Sequence, residues 1–150
     1  MQDDRTLNKL TLGRLEDTVG FLLRRAYRHS VRHVLPVLNS YDFKELEATA
    51  LIIIIENPGC SLTDVARAVD VELPVAQRHL KALEKARRIT SSKSRTDRRV
   101  TTYLATEKGV SDYQEMAEQA HRVDDALYEV LSPKDYDAMM RSLRMLSGID

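Results

Sequence analysis

Residues 61–105 read SLTDVARAVDVELPVAQRHLKALEKARRITSSKSRTDRRVTTYLA. Ser61 followed by Asp64 is a capping box and opens a short helix from Leu62 to about Val69. Leu62, Val65, Ala66 and Val69 fall on its inward side. Asp70-Val71-Glu72 then makes a tight turn, and Pro74 suits the first turn of a further helix. That helix runs to about Ala86, with Ala76, Leu80 and Leu83 as its apolar stripe. Two short helices joined by such a turn form a helix-turn-helix. Ile89–Ser94 and Val100–Ala105 are rich in Thr, Ser, Val and Ile, and RTDRR separates them, which predicts a two-stranded hairpin. A helix-turn-helix followed by a hairpin is a winged helix, so the fold class is mainly α with a small β-hairpin wing.

The flanks are helical. Leu15, Val19, Leu22, Leu23, Ala26, Ser30, Val34 and Leu38 recur at steps of three and four, the stripe of a long amphipathic helix. Pro36 is expected to kink that helix or end its regular part near residue 35. Asp42 with Glu45 predicts the cap of a second helix running to about Glu56, whose ATALIIIIE core is apolar nearly all round and belongs in the middle of the domain. Asn57-Pro58-Gly59 stops it. Past the hairpin, Thr106 opens a long helix to about Leu131, striped by Val110, Tyr113, Ala117, Ala120, Asp124, Leu127 and Leu131. Ser132-Pro133 opens a last one, with Tyr136, Met139, Met140, Leu143 and Leu146 on one face.

The 150 residues suit one domain, with room for an oligomerisation part. Formal net charge is zero, but it is unevenly spread. Residues 61–110 carry eleven Lys and Arg against six acids, whereas residues 111–150 carry four against nine. A basic middle hints at a polyanion partner. Cys60 is the single cysteine, which excludes an internal disulfide. MQDDRTLNKL lacks the apolar run of a signal peptide, and no apolar run approaches the ~20 residues of a membrane span. The expectation is a cytoplasmic protein that does not enter membranes. No Gly-rich phosphate loop, nucleophile–base pair or metal set appears, so an enzyme is not expected, nor a cofactor.

On LPVAQRHLKALEK the inward stripe leaves Val75, Gln77, Arg78 and Lys81 on other faces. Such a helix can lie in the major groove of double-stranded DNA. There Gln can pair with adenine, Arg with guanine, and Val75 can meet a thymine methyl. The plainer reading is a solvated helix face. The hairpin tip adds Arg95, Asp97, Arg98 and Arg99. Arginine on a ribbon can enter a narrow minor groove, where the potential is most negative. Asp97 can accept hydrogen bonds from a neighbouring guanidinium or from turn amides, and so order the tip.

SLTDVARAVDV, VAQRHLKALEKARRI and RTDRRVTTYLATEKG together resemble the MarR family of winged helix-turn-helix transcriptional regulators. The resemblance spans about residues 12–148. It implies a winged DNA-binding part near 42–105, with dimerisation helices at 12–40 and 106–148. It maps the family's wing aspartate onto Asp97 and its minor-groove arginine onto Arg99. It also implies an obligate homodimer, most often a repressor on a pseudo-palindromic operator, released by a small ligand. Two departures stand out. Arg87 occupies the place where the family often has glycine before the first wing strand, and Leu73-Pro74-Val75 stand where small polar residues often begin the recognition helix.

Arg24, Arg28 and Arg32 lie at i, i+4 and i+8, with Arg25 and His29 beside them. They are either a solvated face paired with acids of the tail or a site for an anionic effector, such as an aromatic carboxylate or an acyl-coenzyme A thioester. Tyr27 and Tyr41, with His33, are candidates for the apolar part of such a cleft. His29 and His33 have a metal-chelating spacing with no third ligand on that face. Cys60 sits before the Ser61 cap, where a helix would lower a thiol's pKa, but no second cysteine is present to resolve it, and an inert, partly buried thiol is the expected reading. The rival function is a winged-helix module that binds protein and no operator.

Overall fold

The computed structural model describes residues 10–149, without the side chains of 126 and 127. The first nine residues of the N-terminal stretch, and the side chain of Leu127, lie outside the described residues. A 3₁₀ turn over Gly13–Asp17 precedes α1 (Val19–Ser40); then come α2 (Glu45–Glu56), α3 (Leu62–Ala68), α4 (Leu73–Lys85), β1 (Ile89–Lys93), β2 (Thr101–Ala105), α5 (Glu107–Tyr128) and α6 (Pro133–Ser147). The predicted fold class holds: helices with one antiparallel hairpin, registered from Ile89↔Ala105 to Lys93↔Thr101.

Two local expectations are corrected. Of the two effects expected of Pro36, an end to the helix is excluded: Pro36 lies inside α1, which continues to Ser40. A proline ring removes one helical donor, but the residues beyond it are held by packing, since Leu38 is buried and Val34 and Val37 lean on the core. The cap of α2 is Lys44, not Asp42: the Glu47 carboxylate accepts the Lys44 amide at 3.1 Å. Asp42 instead turns the chain with φ +52°. By contrast the Ser61–Asp64 box forms as read, with both reciprocal bonds present.

α2 is the hub. Its Leu51 and Ile54 are fully buried with Phe43, Val65 of α3, and Leu80 and Leu83 of α4. Ile89, Tyr103 and Met116 extend this core into the hairpin and α5. Each such side chain contributes roughly 1.5–3 kcal/mol by leaving water. The hairpin is rooted in the same core. Gly59 donates to the Tyr103 carbonyl at 2.9 Å, and Tyr103 donates to the Cys60 carbonyl at 3.0 Å, so residues 59–61 make a short third rung beside β2.

The outer helices are covered far less. Val19, Leu22 and Leu23 of α1 are 62 %, 48 % and 40 % exposed, and α6 buries no residue. Much of their apolar stripes therefore stays exposed within one chain.

Candidate nucleic-acid interface

α4 is positioned by its buried stripe, Ala76, Leu80 and Leu83, as the spacing predicts. That leaves Gln77, Arg78 and Lys81 exposed and Val75 half-buried. Arg78 has one side-chain neighbour: its Nη2 lies 3.5 Å from His79 Nε2. His79 Nδ1 in turn lies 3.3 Å from the buried Glu47 carboxylate. A guanidinium only donates and a carboxylate only accepts, so this chain requires the proton on Nδ1. His79 is thus a structural link between α4 and α2.

The far end of α4 explains the arginine in a glycine's place. Arg87 donates to the Glu84 carbonyl and Arg88 to the Leu83 carbonyl, both at 2.9 Å, which is a Schellman cap. The residue at its corner must be left-handed, and Arg87 has φ +58°. A side chain there costs about 1 kcal/mol.

At the wing tip Arg95, Asp97, Arg98 and Arg99 are all exposed. Asp97 does order the turn, but through backbone: its Oδ1 accepts the Arg99 amide at 2.9 Å, and its carbonyl accepts the Val100 amide at 3.0 Å. Ser94 Oγ accepts the amides of Thr96 and Asp97. Of the two partners expected for Asp97, the turn amide is the one observed. Among the described residues, none of Gln77's cationic neighbours on α4 or the tip arginines forms a salt bridge.

Arg88 behaves differently from the other basic residues of this region. It is 6 % exposed and faces inward. Its Nε donates to Asp112 Oδ2 at 2.8 Å, Nη1 to the Asp42 carbonyl at 2.8 Å, and Nη2 to the Tyr41 carbonyl at 2.5 Å. Its plane sits 3.8 Å from the Phe43 ring centroid. The root of the wing is thereby tied to the end of α1 and to α5. Thr106 and Gly109 complete the joint. The Thr106 hydroxyl donates to the Arg87 carbonyl at 2.8 Å and accepts the Gly109 amide. A Cβ on Gly109 would sit 2.0 Å from the Arg88 carbonyl oxygen, so only glycine lets α5 approach.

Residues 44–101, the helix-turn-helix and most of the hairpin just described, match the family model of the MarR family. Over these residues the chain is similar to the winged helix of the MarR family. Solved structures extend the likeness to the flanking helices. The transcriptional repressor CouR, bound to a 23-mer DNA duplex, superposes with a TM-score of 0.85 at 25 % identity, covering 92 % of this chain and 98 % of that one. BpsR of Bordetella bronchiseptica, whose DNA binding is regulated by 6-hydroxynicotinic acid, gives 0.81 at 25 % identity, covering 89 % and 95 %. A MarR-family regulator from Rhodococcus sp. RHA1 shares the fold with a TM-score of 0.82 at 19 % identity, over 88 % and 94 %. Among curated protein sequences, no significant match is found.

The candidate effector residues are not gathered at one cavity. Arg24, Arg28 and Arg32, with Phe21, Arg25 and His29, border a shallow recess of about 490 Å³ formed by α1 alone. Tyr27 turns toward α2, where its hydroxyl donates to the Glu45 carboxylate; that bond, with burial, raises its pKa. Tyr41 faces α5, its hydroxyl accepting from Gln119 Nε2 at 2.7 Å. His29 and His33 make an edge-on ring contact at 4.7 Å, and among the described residues no three metal-ligating side chains cluster. A small apolar cleft of about 190 Å³ between α2 and α5, bordered by Ile52, Tyr113, Met116, His121 and Asp124, was not foreseen. Burial raises the Asp124 carboxyl there, opposed by His121. Stripe positions of two helices carried no sign in sequence that they would leave a gap. Cys60 is a partly buried thiol: burial raises its pKa, Asp64 adds to the effect, and a backbone hydrogen bond opposes them.

No helix among the described residues is long and apolar enough to cross a membrane.

Proposed function

We propose that this chain is a DNA-binding transcriptional regulator that binds a pseudo-palindromic operator as a homodimer. Gln77, Arg78 and Lys81, with Val75, serve the major groove. Arg95, Arg98 and Arg99, on a tip shaped by Asp97, serve the minor groove and phosphates. The observation that carries this is the pairing of two exposed surfaces, the outer side of α4 and the wing tip, free of salt bridges among the described residues, on a scaffold superposing on DNA-bound CouR. The exposed stripes of α1 and α6 favour a second copy as their cover. Two-fold symmetry then places the two α4 helices about one DNA turn, ~34 Å, apart.

Repression relieved by an anionic small molecule is the regulatory reading. The arginine row Arg24, Arg28 and Arg32 supplies cations, and the DNA binding of BpsR, at 25 % identity, is regulated by 6-hydroxynicotinic acid. Tyr27 and Tyr41 border the neighbouring α1–α2 and α1–α5 contacts. A thermal-shift screen of aromatic acids and acyl-coenzyme A thioesters, followed by DNA-release assays on the hits, tests it.

The deciding experiment is a mobility-shift titration with duplexes selected from a random pool, repeated at several salt concentrations. Affinity should fall steeply as salt rises, through counterion release. Arg99→Ala should bind about tenfold more weakly while remaining dimeric. Undiminished binding by that variant removes the wing from the mechanism, and absence of any DNA binding leaves the protein-interaction reading in its place.

A further inference from the structure

Leu73 opens α4 with 45 % of its surface exposed. The packing of α4 does not call for a leucine there, because its inward positions are Ala76, Leu80 and Leu83. Leu73 stands four residues before Gln77, so the two are neighbours one turn apart on the same side of the helix. Exposed Pro74 and half-buried Val75 follow it. The leading turn of α4 therefore presents apolar carbon, continuous with the polar surface of Gln77 and Arg78. A single exposed leucine is ordinary on a protein surface. This one differs in its place, on the turn of a recognition helix that reaches deepest into a groove.

The flanking groups limit what that turn can do. Asp70 and Glu72 are exposed acids, and neither Leu73 nor Pro74 nor Val75 can donate a side-chain hydrogen bond. The turn is not a phosphate clamp. Favourable contact has to come from apolar surface, and the major-groove edges offer one apolar group, the C5 methyl of thymine.

We propose that Leu73 is a specificity-determining residue that packs on a thymine C5 methyl, at the position adjoining the base pair read by Gln77. The proposal rests on the operator reading above and adds a base preference to it. Gln favours adenine, so the two side chains together select an A·T-rich step in each half-site.

Deoxyuridine differs from thymidine only in lacking that methyl. In the selected operator, each thymine is replaced singly by deoxyuridine and affinities are measured for the wild-type dimer, Leu73→Ala and Leu73→Met. At one thymine per half-site the wild type should lose about fourfold per methyl, the effect of one buried carbon. Leu73→Ala should bind both duplexes equally there, and Leu73→Met should keep the preference. A thermal melt confirms that the exposed substitution leaves the fold intact. Equal binding of thymine and deoxyuridine at every position overturns the proposal, as does a full preference retained by Leu73→Ala. If the wild type enriches no sequence from the random pool, the operator reading itself fails and this proposal with it.

Discussion

Arg88 and Asp112, 24 residues apart, form an ion pair with Nε 2.8 Å from Oδ2 at the junction of the wing, α1 and α5. The same guanidinium satisfies the carbonyls of Tyr41 and Asp42 and lies against Phe43. Removing it leaves those acceptors without their donor in a part-buried place. Arg88→Met should therefore cost about 3 kcal/mol in urea unfolding at neutral pH. Arg88→Lys should recover little of this, because one ammonium cannot reach three acceptors in a planar fork. A stability within experimental error of wild type would show that the joint is dispensable.

The same pair sets a pH dependence. Burial alone would raise the Asp112 carboxyl, but hydrogen bonds from Lys108 and Arg88 outweigh it and hold the group below its ordinary value of 3.8. A depressed value in the folded state stabilises above pH 3.8 and is lost as pH falls through the folded value. Asp112→Asn should thus be less stable than wild type at neutral pH, and the gap should close below pH 3.8. Unfolding free energies of both proteins across the acid range check this.

Gly109 has a backbone neighbour that cannot yield. A methyl group there would meet the Arg88 carbonyl oxygen at 2.0 Å. Gly109→Ala should destabilise by about 3 kcal/mol, since α5 must move away from the wing root. Gly20 lies in α1, and a methyl group on it would have nothing within 4 Å, so Gly20→Ala should be neutral or stabilising. Opposite behaviour of the two alanines in thermal melts separates close approach from helix propensity.

Arg87 gives the reverse case. Its left-handed backbone closes the Schellman cap of α4. Arg87→Gly should gain about 1 kcal/mol in the same unfolding assay, because glycine adopts that conformation without a steric penalty. A loss of stability would mean that the arginine side chain makes a contact outweighing its strain.

Much of this was legible in sequence because local rules governed it. The Ser61–Asp64 box, the Ala76, Leu80, Leu83 stripe and the hairpin each depend on residues a few positions apart. Arg88 was not legible. It stands in a run of cations and counts there as surface charge, while its acceptors at Tyr41 and Asp42 are 47 and 46 residues away. The cap at Lys44 was hidden for a related reason. Asp42 offered the standard capping side chain, but the chain needed it for a left-handed turn, so Glu47 made the cap from inside the helix. The arginine row on α1 was visible as spacing, but whether something covers a helix face is decided by other elements. For Cys60 the two readable effects, a helix end and partial burial, oppose each other, and burial decides the direction of its shift.

Among the described residues, the hairpin gains a third rung beside Tyr103 and Thr102, through residues 59–61, and none nearer the tip. It is built like a cantilever, clamped at the core and unsupported toward Arg98. Bending of the outer rungs can then follow local variation in groove width while the clamped end keeps its angle to α4. On the proposed operator reading, such a wing would accommodate duplexes of differing shape without loosening the element that reads their bases.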